Sequence, residues 1–209
     1  MTFLVLVLAA YLLGSIPTGQ VLVKRAKKVD IRDYGSGNIG AANVFRVAGP
    51  RAAALVLLAD LAKGFVPVVI AKSILTSHLG AVFVGLAAAS GHIWSIYLGF
   101  RGGKGVLTTL GGLLALAPAA GLISAVVGAI VMAVFRYSSL GSLTGTMAGA
   151  ATLLFLIVVR RKPPAYLAQV LVPPALIIAT HRENIQNLLR GTERRLAVGT
   201  EQRSRPSSK

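Results

Sequence analysis

The chain has 209 residues, 55% hydrophobic and 13% charged, with a mean hydropathy of +0.73; a soluble domain carries about 25% charged residues, so lipid is the solvent for most of this one. Its 22 Lys and Arg against 6 Asp and Glu, formally +16, would suggest nucleic acid on a soluble protein. Here the basic residues sit in short breaks between apolar runs and at the end of the chain, which suits lipid headgroups and cytoplasmic loops and sets nucleic-acid binding aside. The absence of cysteine excludes disulfides, thiol catalysis and Cys-based metal sites.

Thr2 to Val23 is the first span, long enough at about 20 residues to cross the hydrocarbon core. It lacks a positively charged n-region and a cleavage pattern, so it reads as retained. It ends on Lys24, Arg25, Lys27 and Lys28, which places that end in the cytoplasm and the N-terminus outside. Ala52 to Leu75 is the second span. It encloses Asp60 and Lys63, one turn apart, read as a self-neutralising structural pair rather than as chemistry. Leu79 to Phe100 returns the chain to the cytoplasm at Arg101 and Lys104.

Val106 to Phe135 carries no charge and would be about 45 Å long as one helix. The core is about 30 Å thick, so Pro118 is read as dividing this run into two short spans. Leu140 to Val159 and Tyr166 to Thr180 complete seven, with a cytoplasmic C-terminus. That count leaves Arg160, Arg161 and Lys162 outside, against the positive-inside rule. Six spans would remove the conflict but strand the last polar motif on the wrong face. The expected fold is therefore an all-α transmembrane bundle of about seven spans. Residues 1–196 form one domain, and the polar tail 197–209 is expected to be disordered.

Three polar segments carry the chemistry. In the first, Gly35, Gly37 and Gly40 surround Ser36 and Asn38. Glycines let a backbone approach a ligand and turn its amides toward an anion. A helix starting near Asn38 would favour phosphate at its N-terminus, with Asn43 and Arg46 on one face. Arg46 suits a two-pronged grip on phosphate. In the second, Gly91-His92 precedes Gly99-Phe100-Arg101-Gly102-Gly103-Lys104-Gly105. This is not a Walker A loop, because Gly105 follows the lysine, but Lys104 between glycines suits phosphate as a point charge. The third runs from His181 through Asn184 to Glu193 and by itself reads as an interfacial amphipathic helix.

Taken in order, Gly35-Ser36-Gly37-Asn38-x-Gly40 with Asn43 and Arg46, Gly91-His92 with Phe100-x-Gly102-Gly103-Lys104-Gly105, and His181-Arg182-x-Asn184-Ile185 with Gly191-Thr192-Glu193 resemble the three motifs of the bacterial acyl-phosphate:glycerol-3-phosphate acyltransferases. The Asp60-x-x-Lys63-Gly64 pattern is similar too, and the resemblance runs from Tyr11 to about Arg195. Ala42 stands where the family commonly has Thr, Ser95 where it often has Pro, and Leu107 where it often has Ala.

The resemblance implies transfer of a fatty acyl group from acyl phosphate to the 1-hydroxyl of glycerol 3-phosphate, giving lysophosphatidic acid and phosphate, at the cytoplasmic face of a bacterial inner membrane. The histidines and acids are too scattered to form a metal cluster of recognisable spacing, no cofactor is expected and no obligatory protein partner is evident; membrane lipid is the surrounding partner. Lys104, Arg46, His181, Asn184 and Ser36 are the expected catalytic residues. Gly35, Gly37, Asn38, Asn43, His92, Gly102, Gly103, Ser142 and Glu193 are expected to bind substrate or phosphate. No His-x-x-x-x-Asp pattern follows any histidine, so catalysis rests on positioning and charge stabilisation. The proton acceptor is the substrate's own phosphate, or else His92 or His181. A small anion transporter is the main rival, and a lipid-binding scaffold the second. Against a transporter stand the lack of an internal repeat and polar motifs gathered at one face rather than at the midplane.

Overall fold

A computed structural model describes residues 1–197; the tail expected to be disordered lies, beyond Ala197, outside the described residues. Nine α-helices are described: α1 (Thr2–Ser15), α2 (Thr18–Lys27), α3 (Ala41–Ile74), α4 (His78–Ile93), α5 (Val106–Leu116), α6 (Pro118–Phe135), α7 (Ser138–Val158), α8 (Leu167–Thr180) and α9 (Arg182–Leu189). α3 is broken at Gly49, whose φ of +82° only glycine adopts readily, and Pro50 restarts the helix. The stretch before the break, with Asn43 and Arg46, is thereby set off from the apolar part that begins near the predicted Ala52.

Five helical segments are long and apolar enough to cross a membrane, and the bent pair around Thr180 would make a sixth. The sequence reading expected seven. The difference is α5, whose 11 residues cover about 16 Å. A helix that stops inside a bilayer strands its last carbonyls where no water can reach them. Two lysines meet them: Lys72 donates to Ala115 O at 2.7 Å and Lys162 to Leu116 O at 3.0 Å. Ala117 then turns the chain and Pro118 opens α6, where a missing N–H costs nothing.

Close helix contacts run through small residues, as expected where lipid removes the hydrophobic drive between helices. A methyl group at Gly14 would strike the Ala88 carbonyl, and one at Gly91 the Tyr11 carbonyl, so α1 and α4 touch backbone to backbone. Gly128, Gly141 and Gly145 do the same for α6 and α7.

Asp60 and Lys63 form a closed polar knot with the break between α1 and α2. Lys63 Nζ donates to Ile16 O (2.5 Å), Thr18 Oγ1 (2.7 Å) and Asp60 Oδ1 (2.7 Å), and Thr18 returns its proton to Asp60 at 2.5 Å. All three ammonium protons are used, which agrees with a structural role for the pair. The polar segments collect at one end of the bundle: Ser95 donates to Ser15 O, Thr180 to Lys104 O, and Leu196 N to Arg136 O.

Candidate active site

The first polar loop is shaped by one buried side chain. Asn43 is 1% exposed, and its amide nitrogen donates to Ile31 O (3.3 Å), Tyr34 O (3.0 Å) and Asn38 O (2.8 Å). Its oxygen accepts from Ser36 N at 2.9 Å. Gly35, at φ +57°, packs so tightly on Asn43 that any side chain there would collide with it. Ile31 and Ile39, both buried, pin the loop to α2 and α3. Asn38 caps the turn by accepting from Gly40 N at 2.8 Å, and Ser36 stays exposed to the cavity. Asn43 was expected to touch substrate; every polar atom of its side chain is instead spent on the loop.

The second loop hangs from the end of α4. Gly103 N donates to His92 O and Gly102 N to Ile93 O, both at 2.9 Å. Gly103 lies against the His92 ring so closely that a methyl group would run into Nε2. On its other edge, His92 Nδ1 is buried, unpartnered and 3.8 Å from Asp60 Oδ1. His92 therefore props the backbone that carries Lys104.

The third segment closes the site. Lys104 Nζ donates to Asn184 Oδ1; Asn184 Nδ2 donates to Glu193 Oε1 at 2.7 Å, and Ser139 Oγ to the same oxygen at 2.6 Å. Arg194 donates to Gly35 O, and its own carbonyl accepts from Arg46 at 3.4 Å. Arg46 is 8% exposed, with two bonds no shorter than 3.4 Å and a buried Nε without a partner. A buried cation held so loosely by protein acceptors is suited to an anion in the cavity it lines.

Every residue expected from the sequence to act in catalysis or in substrate binding lines one continuous cavity of about 1330 Å³. Sequence reasoning missed Ser139 and Arg194. Ser142, which it named, donates to its own helix at Ser138 O and leaves only lone pairs to the cavity. Nothing local separates Ser139 from Ser138 or Ser142; only the meeting with Glu193 does.

Residues 4–191 match the family model described as glycerol-3-phosphate acyltransferase. The chain belongs to the glycerol-3-phosphate acyltransferase family. It is similar to the glycerol-3-phosphate acyltransferase of Rubrobacter xylanophilus, at 45% identity over 91% of this chain and 93% of that one. The counterpart from Geobacter sulfurreducens is 45% identical over 92% and 96% of the two chains. Among solved structures, PlsY (YgiH), an integral membrane glycerol 3-phosphate acyltransferase, aligns in its glycerol 3-phosphate form with a TM-score of 0.86. Identity is 43%, covering 94% of this chain and 96% of that one. Its lysophosphatidic acid form gives 0.84 at the same identity, over 93% and 95% of the two chains. The integral-membrane fold and the acyltransferase family expected from the three motifs are thus established.

Two titrating groups set the electrostatics of this acyltransferase site. Burial pushes Lys104 below the ordinary lysine range, with Glu193 and Glu183 pulling it partly back. Burial, reinforced by Lys104, pushes His181 down to about 4. His181 is then neutral, and its Nδ1, 2.8 Å from Ile177 O, must carry the ring proton. Nε2 is left with a lone pair. Among the described residues, no group of three His, Cys, Asp or Glu is placed to hold a metal ion.

Proposed function

We propose that the protein transfers a fatty acyl group from acyl phosphate to the 1-hydroxyl of glycerol 3-phosphate, releasing lysophosphatidic acid and inorganic phosphate. The observation that carries this reading is the cavity's composition. At one end Arg46, with its unpartnered Nε, and Lys104 supply cations; below them the same cavity continues between apolar helices. Two phosphorylated substrates, one with a long acyl chain, fit that pairing of environments.

In this reading Arg46, Lys104 and the Ser36 loop hold phosphate, while Asn184 and Glu193 keep Lys104 aimed. The hydroxyl oxygen attacks the acyl carbonyl carbon, and the bond from that carbon to the phosphate oxygen breaks. The electron pair leaves on phosphate. The hydroxyl proton goes to a phosphate oxygen, and because the substrate hydroxyl itself attacks the acyl carbon, no acyl-enzyme forms. Burial and the nearby Lys104 hold the basicity of His181 down, which favours a phosphate oxygen as the acceptor. His181 Nε2 orients the hydroxyl, and the cations stabilise charge on the carbonyl and on the leaving phosphate.

The site end is read as cytoplasmic in a bacterial inner membrane, with the N-terminus outside and α5 as a seventh, shortened pass. Lys24, Arg25, Lys27, Lys28, Arg101 and Arg136 sit at that end and support the assignment. No obligatory protein partner is required by this mechanism.

The test is turnover of palmitoyl phosphate with glycerol 3-phosphate by the purified protein in lipid, without metal, CoA or carrier protein. Equal amounts of phosphate and lysophosphatidic acid, lost in Lys104→Ala, are expected. Absence of both products from the unmodified protein would overturn the reading.

A further inference from the structure

The cavity does not end at the polar motifs. It descends between α5, α6, α7 and α8, and on all four helices its lining stops at a common level: Leu113, Ser124, Ala150 and Gln169. About one turn further, Leu116, Ala120, Leu153 and Tyr166 are 0–3% exposed and do not border the cavity. From Thr180 to Gln169 along α8 the depth is about 16 Å, and from Ser138 to Ala150 along α7 about 18 Å, at 1.5 Å per residue. These are dimensions for one extended long acyl chain.

Gln169 is the unexpected member of this floor. It is 5% exposed and lines the cavity, and its side-chain amide makes no hydrogen bond to another described residue. At this level Leu113 and Ala150 are apolar, and the one other polar group, the Ser124 hydroxyl, makes no hydrogen bond to the Gln169 amide. An amide in such a place keeps its hydrogen bonds only with water in the cavity. A methyl end pressed against it would displace that water and offer nothing in return, an unfavourable exchange.

We propose that Gln169, seated with Ala150 and Leu113, is a specificity-determining stop that sets the longest acyl chain transferred at full rate. The proposal rests on the acyl-transfer reading above. Chains that end short of Gln169 gain from each added methylene; a chain that reaches it does not.

The experiment uses the full-length protein in lipid nanodiscs, with saturated acyl phosphates from decanoyl to octadecanoyl at fixed glycerol 3-phosphate. In Gln169→Leu, which removes the amide at similar volume, kcat/KM for the longest chains rises relative to shorter ones, by about fourfold for each methylene newly accommodated. In Ala150→Leu the floor rises and the optimum moves to shorter chains. The KM for glycerol 3-phosphate stays within about twofold in both, since the two sites lie about 16 and 18 Å below the polar end of the cavity. An unchanged length profile in an active Gln169→Leu protein, or an equal loss at every length, overturns the proposal. Should Ala150→Leu fail to fold, Gln169→Leu alone decides. If the unmodified protein consumes no acyl phosphate of any length, the acyl-transfer reading itself is what fails.

Discussion

Lys104 and Asn184, 80 residues apart in sequence, meet through a hydrogen bond from the ammonium to the amide oxygen. The other end of that amide donates to Glu193 at 2.7 Å. Asn184 is thus a neutral spacer between a cation and a carboxylate. It aims the lysine into the cavity without neutralising it as a direct ion pair would. Asn184→Ala removes the spacer, and the KM for glycerol 3-phosphate is expected to rise about 10–100-fold, the worth of one charge-assisted hydrogen bond. Asn184→Asp should be no better, because it sets a second carboxylate beside Glu193.

Lys104 gives a pH signature. Its folded pKa lies below that of a free lysine, so it sheds its proton at lower pH than lysine ordinarily does. As pH rises through that lowered value, kcat/KM for glycerol 3-phosphate should fall. The decline should be weaker in kcat, where bound phosphate restores the charge. Lys104→Arg keeps its charge throughout, and the alkaline limb should vanish even if absolute activity drops. Lys104→Ala should cost about 100–1000-fold in kcat/KM, as for loss of one preorganised donor.

For Asn43 the order of two variants is diagnostic. Its nitrogen faces three carbonyls and its oxygen faces one amide. Asn43→Ala leaves these groups unsatisfied, at about 1–3 kcal/mol. Asn43→Asp turns a charge toward three carbonyl oxygens and should be worse, both in melting temperature and in activity. An Asp variant as active as the wild type would mean that the loop does not depend on this side chain.

Gly103 and His92 should behave as a pair. Gly103→Ala drives a methyl group into the His92 ring and displaces the Lys104 loop, so turnover should fall steeply. His92→Ala opens the space, and the double variant should recover part of the loss. That sign of coupling separates steric propping from direct catalysis by His92.

The lysines at the far end of the bundle make a separate prediction. Lys72→Met and Lys162→Met each uncap one carbonyl at the end of α5 and should lower thermal stability by about 1–3 kcal/mol. The two effects should not add, because both serve the same helix end. The KM for glycerol 3-phosphate should be nearly unchanged.

Lys162 accounts for one of the three charges that the seven-span reading left outside. Read as a loop charge, it counts against seven passes; as a cap on α5, its position follows from a helix that stops short inside the bundle. The sequence alone determined that the chain lives in lipid, because composition is a sum over residues and needs no coordinates. It also determined where the apolar runs and the three polar motifs fall, since spacing along the chain carries both. Even the closeness of Asp60 to Lys63 was legible, one helical turn being a local distance. What tertiary structure decided was which way side chains turn and what they meet. Asn43 holds its own loop together, Ser139 and not Ser142 reaches Glu193, Arg194 straps the Gly35 carbonyl, and Gln169 closes a floor with residues from three other helices. Those contacts join residues up to 159 positions apart. No local pattern encodes them; they arise only when helices packed through glycine bring distant backbones together.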